Sequence, residues 1–196
     1  MSHTTPSSSD SSLKFNLQGQ LLVASPNMID GPFSRAVVLV LQQNESGTFG
    51  VVLNRKADER VSNLWNGVTG LDGPIDQELF RMGGPMGGPV FAVHRSEGVA
   101  EFLVVPGIFV TANTKLINYL AVRNETFRIF VGLSGWQVGQ LEREINQGIW
   151  FKLPADGQEI FGNSDCLWET ALYKYGRNVW RDVLKLDDRF IEAIYN

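Results

Sequence analysis

The pattern of apolar residues predicts an α+β fold in a single domain. Residues 35–42 form a continuous apolar run short enough to be a strand buried on both faces, Asn44-Glu45-Ser46-Gly47 supplies turn chemistry, and residues 48–53 return as a second β-rich run. Strand patterns crowd the first half, while helices come late and interleaved with strands, without regular βαβ winding. The size agrees: 196 residues, 43% hydrophobic and 19% charged, suit one domain with a substantial core.

Taken in order, residues 1–12 are mostly Ser, Thr, Pro and Asp, too polar to offset their ordering entropy, and are expected to be a disordered tail before a domain spanning 13–196. Leu13, Phe15 and Leu17 alternate as an edge strand would, residues 21–25 read as a strand, and the prolines of 26–32 mark a loop. Ser62 is positioned to cap a short helix over 61–68, which the glycines of 67–74 end. Strands are expected at 78–82, 90–94, 99–105, 108–111, 127–131 and 149–153, with Gly83-Gly84-Pro85-Met86-Gly87-Gly88-Pro89 as a tight turn. Asn113 or Thr114 caps a helix carrying Leu116, Ile117, Leu120 and Ala121 on one face. Residues 132–146 read as a strand end, a glycine-spaced turn and a helix with Val138, Leu141 and Ile145 on its core stripe, closed by Gly148. A helix over 164–175 should stop at Gly176, with an apolar face continued by Val179, Trp180, Val183 and Leu184 and a last short helix after Asp187, where Leu186 and Ile191 form a staple.

Composition excludes several function classes. Seventeen Lys and Arg against 21 Asp and Glu argue against general nucleic-acid binding and against an anionic-lipid surface. The single cysteine, Cys166, cannot close an intrachain disulfide, and there is neither a signal-like segment nor an apolar run of the ~18 residues a membrane helix needs, so a cytoplasmic protein free of the membrane is expected. With His3 in the tail, His94 and Cys166 are too few to build a zinc site, and nucleotide-binding glycine motifs are missing, so no metal or other cofactor is expected.

The remaining motifs read better as structure than as chemistry. Gly132-Leu133-Ser134-Gly135-Trp136 resembles a hydrolase elbow only superficially, because Trp136 stands where the second glycine is required. Cys166 sits early in a helix, where the dipole lowers a thiol's pKa, but reads better as a small residue near a helix start, and His94, with no carboxylate partner nearby in sequence, reads as a strand-end histidine hydrogen-bonded locally. Lys174, Arg177, Arg181, Lys185 and Arg189 recur every three or four residues, a row weakened by Gly176, Asp182, Asp187 and Asp188 and read as a solvated face.

Several blocks in order resemble the YqgE/AlgH family of bacterial proteins. They are Leu22-Val23-Ala24-Ser25-Pro26 with Gly31-Pro32-Phe33-Ser34-Arg35; the hairpin with Gly47, Gly50, Val52 and Asn54; Gly83-Gly84-Pro85; Val93-His94; the long stretch from Gly132 through Glu144; and Trp168 to Gly176. Gln42-Gln43-Asn44 departs from the family's Glu-His-Asn, so acid–base work by that histidine does not carry over, and Gly148 replaces its Asn. The resemblance implies a mixed or antiparallel bifurcated sheet folded into a pseudo-barrel with flanking helices. It also brings a label of transcriptional regulation for some relatives, in alginate gene expression, which fold alone does not transfer.

The preferred functional reading is a non-enzymatic cytoplasmic protein with a regulatory or protein-interaction role, its protein partner unknown. The alternative is an enzyme or small-molecule-binding protein with a pocket near Asn54, Gly83, Gly84, His94 and Gln140, polar or glycine positions at strand ends and turns. Ser134, Trp136 and Glu144 complete the ligand or interaction candidates, and no residue is assigned a catalytic role.

Overall fold

The run after Arg35 is a strand because its alternate residues serve two different cores. The computed structural model of the chain describes residues 16–69 and 75–184. In it, Val37, Leu39 and Leu41 of β2 (Val37–Asn44) enter one buried cluster, while Val38 and Val40 enter a second on the opposite face. β1 (Gln20–Ala24) divides the same way, Leu21 and Val23 against Leu22 and Ala24. Both strands therefore need apolar residues at every position rather than at every other one. β2 returns through the expected turn into β3 (Gly47–Val52), with a bulge between Val40 and Gln42.

The remaining strands are β4 (Phe80–Met82), β5 (Met86–His94), β6 (Phe102–Val105), β7 (Ile108–Thr111), β8 (Phe127–Trp136) and β9 (Trp150–Pro154). Their order is β6-β7-β5-β8-β3-β2-β1-β9, with antiparallel neighbours throughout, and β4 joins β8 in parallel off that path. The sheet forks at β8. Its first half, Ile129 to Val131, lies between β5 and β4, whereas Ser134 to Trp136 pairs with β3. This is the bifurcated, mixed α+β sheet that the resemblance implies. The sheet curls until the segment before β1 meets the edge strand β6. Gln18 Nε2 donates to the carbonyls of Leu103 and Val104 at 3.2 and 2.9 Å. The curl encloses Leu21, Leu39, Val93, Val104, Phe130 and Leu153.

Helices cover the faces. α1 (Glu59–Thr69) and α2 (Thr114–Val122) lie on one side, where Ile117 and Leu120 bury against Phe80, Ala92 and Ile129. Asn113 caps α2 as expected, its side-chain oxygen accepting the Lys115 amide at 3.0 Å. α3 (Gln140–Asn146) precedes β9, and α4 (Gly157–Phe161) leads into α5 (Leu167–Leu184), which packs Leu167 and Ala171 into the barrel interior. Among the described residues no helix is long and apolar enough to cross a membrane, which leaves strands aside.

Several local expectations are corrected. Gly132 to Trp136 is strand, not turn, because β5 and β3 hydrogen-bond to it; the turn is confined to residues 137–139, and Val138 is 64% exposed rather than on the core stripe. Ser62 lies inside α1, its hydroxyl bonded to the Glu59 carbonyl at 3.0 Å, while Asp58 accepts the Arg60 amide at 2.9 Å near the true start. That helix passes through Gly67 to Thr69, and residues 77–79 form a 3₁₀ turn before β4 rather than strand. β5 begins within the expected glycine-proline turn, at Met86. Gly176 does not end α5, which continues to Leu184 with Val179 and Trp180 exposed. α4 was unexpected; Asp156 and Glu159 form its capping box. Leu17 is buried but precedes β1 instead of forming a strand. The tail over 1–12, Leu13, Phe15, Lys185, Arg189 and the final helix with Leu186 and Ile191 lie outside the described residues.

Candidate functional site

Two arginines stand inside otherwise apolar strand sequence, Arg81 between Phe80 and Met82 in β4 and Arg128 between Phe127 and Ile129 in β8. The strands are parallel neighbours, with Phe80 opposite Ile129 and Arg81 opposite Phe130. Since successive strand residues face opposite sides, Phe80, Phe127 and Ile129 enter the cluster under α2 and both arginines face the other way. Arg81 is 2% exposed and Arg128 8%. Together with Lys56, Glu78, Ser164 and Asp165 they line a cleft of about 440 Å³.

Each guanidinium is held by backbone. Arg128 Nε donates to the Ile160 carbonyl at 3.0 Å, and Nη2 donates to those of Phe161, at 2.9 Å, and Gly162. These are the last carbonyls of α4, so a strand residue caps that helix's negative end. Arg81 Nη1 donates to the carbonyls of Glu78 and Phe80 at 2.6 and 2.9 Å, and Nη2 to the Ser164 hydroxyl at 3.3 Å. Arg81 Nε is buried and, among the described residues, without a partner. Among the described residues neither arginine is ion-paired; the rim carboxylates instead take Lys56 Nζ, Glu78 at 3.0 Å and Asp165 at 3.7 Å.

Burial pushes both guanidiniums below their ordinary range, and the neighbouring Arg81 adds to the fall of Arg128 to about 10. Both remain cations at neutral pH. Two desolvated positive groups with unused donors on the wall of a cleft form a recognition surface for negative charge. A second cleft, of about 430 Å³, shares Gly162 and Asn163 with the first and is lined by Asp156, Glu159, Cys166 and Lys174. Its one cation is already engaged, Lys174 pairing with Glu159 at 2.7 Å and Asp156 at 3.5 Å. Among the described residues no three His, Cys, Asp or Glu side chains gather to hold a metal ion.

The residues singled out from sequence fall into four places, and none of them lines this cleft. Gly83, Gly84 and Ser134 meet where β4 ends beside β8: the Ser134 hydroxyl donates to the Gly83 carbonyl at 3.0 Å, and a Cβ on Gly83 would lie 2.2 Å from the Gly132 carbonyl oxygen. Trp136, Gln140 and Glu144 form a second group. The indoles of Trp136 and Trp150 donate to Glu144 Oε2 at 3.0 and 2.9 Å, and Gln140 Nε2 donates to Oε1 at 2.9 Å. Phe33 stacks on Trp136 and meets Trp150 edge-on, with centroids 5.7 and 5.5 Å away. Asn54 clamps the start of β2, accepting from the Val37 amide at 2.9 Å and donating to the Arg35 carbonyl at 2.8 Å. His94 is fully buried at the end of β5 and stacked on Phe109 at 6.1 Å; instead of the expected local hydrogen bond, neither ring nitrogen has a well-formed one among the described residues.

Of the basic row, Lys174 and Arg181 pair with nearby acids and Arg177 lies over Tyr173 at 5.9 Å. Cys166 is exposed just before α5. Gln43, at the position of the family's histidine, joins the Leu17 amide at 2.8 Å to Glu142 at 2.7 Å. Arg81 and Arg128 escaped the sequence reading. The signal that could have found them is a charged residue embedded in an apolar strand, a position that charged side chains seldom take without a partner.

Comparison with known proteins places the chain. A family model described as DUF179, AlgH-like, matches residues 21–180. A UPF0301 protein of Chlorobaculum tepidum is 30% identical over 166 residues, 81% of this chain and 86% of that one. A UPF0301 protein of Chlamydia muridarum is 32% identical over 167 residues, again 81% and 86%. Among solved structures, a protein of Corynebacterium diphtheriae superposes with a TM-score of 0.64 at 26% identity, over 82% of this chain and 88% of that chain. The AlgH protein of Pseudomonas aeruginosa gives 0.66 at 22% identity, over 94% and 97%, a likeness of fold.

Proposed function

The chain belongs to the AlgH-like family, and we propose that it is a small-molecule-binding protein that recognises an anion between Arg81 and Arg128 and serves a regulatory rather than a catalytic role in the cytoplasm. One observation carries this reading: two guanidiniums, each more than nine-tenths buried, wall one cleft and, among the described residues, have no carboxylate in ion-pair contact. Desolvating two such charges costs several kcal/mol each unless something compensates. Backbone carbonyls compensate in part and leave net positive charge in the wall, which an anionic ligand would match. The cleft's groups are donors and charges, the chemistry of recognition. The loop over 162–166 borders both clefts, so occupancy has a short path to the surface that a protein partner would read.

The test is a thermal-shift screen of the full chain against small anionic and neutral metabolites, with Arg81→Met in parallel. At a concentration of about 100 Kd, a true ligand stabilises by roughly 2.7 kcal/mol, a rise in Tm of several degrees that the variant loses. Failure of every anion to raise Tm, or equal shifts in the variant, removes this reading.

A further inference from the structure

Resting on that reading, we propose that the cleft selects a phosphate monoester, its dianionic head seated on the Nε/Nη2 edge of Arg81 and flanked by Arg128, Ser164 and Lys56. The argument is an inventory of donors. Arg81 spends both Nη1 hydrogens on the carbonyls of Glu78 and Phe80. Its Nη2 has one hydrogen on the Ser164 hydroxyl, and its Nε has none engaged. The unspent hydrogens are thus on the two nitrogens of one edge, the parallel pair that grips two oxygens of an oxyanion at once; Nε is enclosed in the unliganded chain, so seating the head there requires that edge to turn toward the cleft. Arg128 directs Nε and Nη2 to the end of α4 and keeps only a long 3.4 Å contact from Nη1 to the Glu78 carbonyl. A donor on that nitrogen therefore remains for a third oxygen.

A planar carboxylate is satisfied by one such edge. A tetrahedral phosphate presents three oxygens in different directions and uses donors arriving from separate elements: β4, β8, the turn before α5 and the segment after β3. Charge points the same way. Three cations, Lys56, Arg81 and Arg128, face two carboxylates, Glu78 and Asp165, and both carboxylates sit on the exposed rim with Lys56. Glu78 and Asp165 act on the arginines from that rim, and the floor still carries two guanidiniums, better matched by two negative charges than by one. Leu79 and Phe161 also line the cleft and would offer apolar surface to the organic part of an ester whose head reaches the arginines.

Calorimetric titration of the full chain with shape-matched probes tests this: phenyl phosphate against benzoate, and inorganic phosphate against acetate. Phenyl phosphate should bind at least about tenfold more tightly than benzoate, and its affinity should rise between pH 5.5 and 7.5, as the second phosphate ionisation near 6 is crossed, while benzoate stays flat. Arg81→Lys, which keeps the charge and loses the two-nitrogen edge, should weaken phosphate binding by about tenfold or more. If circular dichroism finds that variant unfolded, Ser164→Ala takes its place, with an expected loss of roughly three- to tenfold. Benzoate binding as tightly as phenyl phosphate, with a flat pH profile, overturns the phosphate assignment and leaves the anion cleft standing. No binding of any of the four probes to the folded chain overturns both.

Discussion

Arg81 and Arg128 meet at a single oxygen, the backbone carbonyl of Glu78, which accepts from their Nη1 atoms at 2.6 and 3.4 Å. Like charges brought together at one acceptor repel by on the order of a few kcal/mol at the effective dielectric of a protein. The arrangement persists because each guanidinium is anchored by further carbonyls. The anchors are unequal, and the following substitutions separate their effects.

Arg128→Met should destabilise the protein by about 3 kcal/mol, because it removes the donors from three carbonyls at the end of α4, one buried and two partly buried. Lys56→Gln, which breaks only half-exposed rim pairs, should cost under about 1 kcal/mol. Urea denaturation of both variants checks the ordering, and equal losses would refute the capping role of Arg128.

Glu144 holds two indoles on one oxygen. Glu144→Ala should cost about 2–4 kcal/mol, since the N–H groups of the buried Trp136 and Trp150 lose their acceptor. Glu144→Gln, which keeps an acceptor oxygen, should cost about 1 kcal/mol. Denaturation followed by tryptophan fluorescence distinguishes these values; a harmless alanine would mean that the carboxylate is incidental to the cluster.

Burial holds the His94 imidazole below its ordinary 6.5, against the opposing influence of Ser96, Glu101 and Glu125. The unfolded chain therefore takes up a proton in a window below pH 6.5 where the folded chain does not. Stability falls as pH drops through that window, by up to about 1.4 kcal/mol per pH unit, and the loss levels off once the folded form is protonated too. His94→Leu should remove this component. Urea midpoints at pH 7.5, 6.5 and 5.5 test it: parallel curves for wild type and variant would contradict the assignment.

Gly148 adopts a φ of +71° with no atom near the position of a Cβ. Gly148→Ala should therefore cost only the backbone penalty, about 1–2 kcal/mol. Gly83→Ala forces a Cβ to 2.2 Å from the Gly132 carbonyl oxygen, so one of the two strands must move, and the loss should exceed that of Gly148→Ala. Thermal denaturation of the two variants reads the difference; the reverse order would show that the β4–β8 junction yields easily.

The legible parts of this fold are those where local pattern and tertiary demand coincide. The β2–β3 hairpin, the Asn113 cap and the stop at Gly148 each follow from residue type alone. The strand at Gly132–Trp136 was illegible because its glycines serve close packing: a Cβ on Gly135 would lie 2.5 Å from the Met86 sulfur. Sequence shows a glycine, not the neighbour that requires it. Gly176 misled in the opposite sense: α5 runs through it to Leu184, a glycine tolerated inside a helix at a cost of about 1 kcal/mol where the sequence suggests an end. The site was harder still. Glu144 was legible as a member of a motif, but its two indole donors come from either side of α3. Arg81 and Arg128 are 47 positions apart in the chain, and only the parallel pairing of β4 with β8 brings them together.

The side-chain amide of Gln18 on the carbonyls of Leu103 and Val104 also bears on the protein's behaviour in company. A curled sheet that stops short of closing leaves a free seam, and a free seam invites a strand from another molecule. Gln18 occupies two acceptors on that seam with a group that cannot extend the ladder. A strand arriving at that edge would first have to displace the glutamine from both carbonyls.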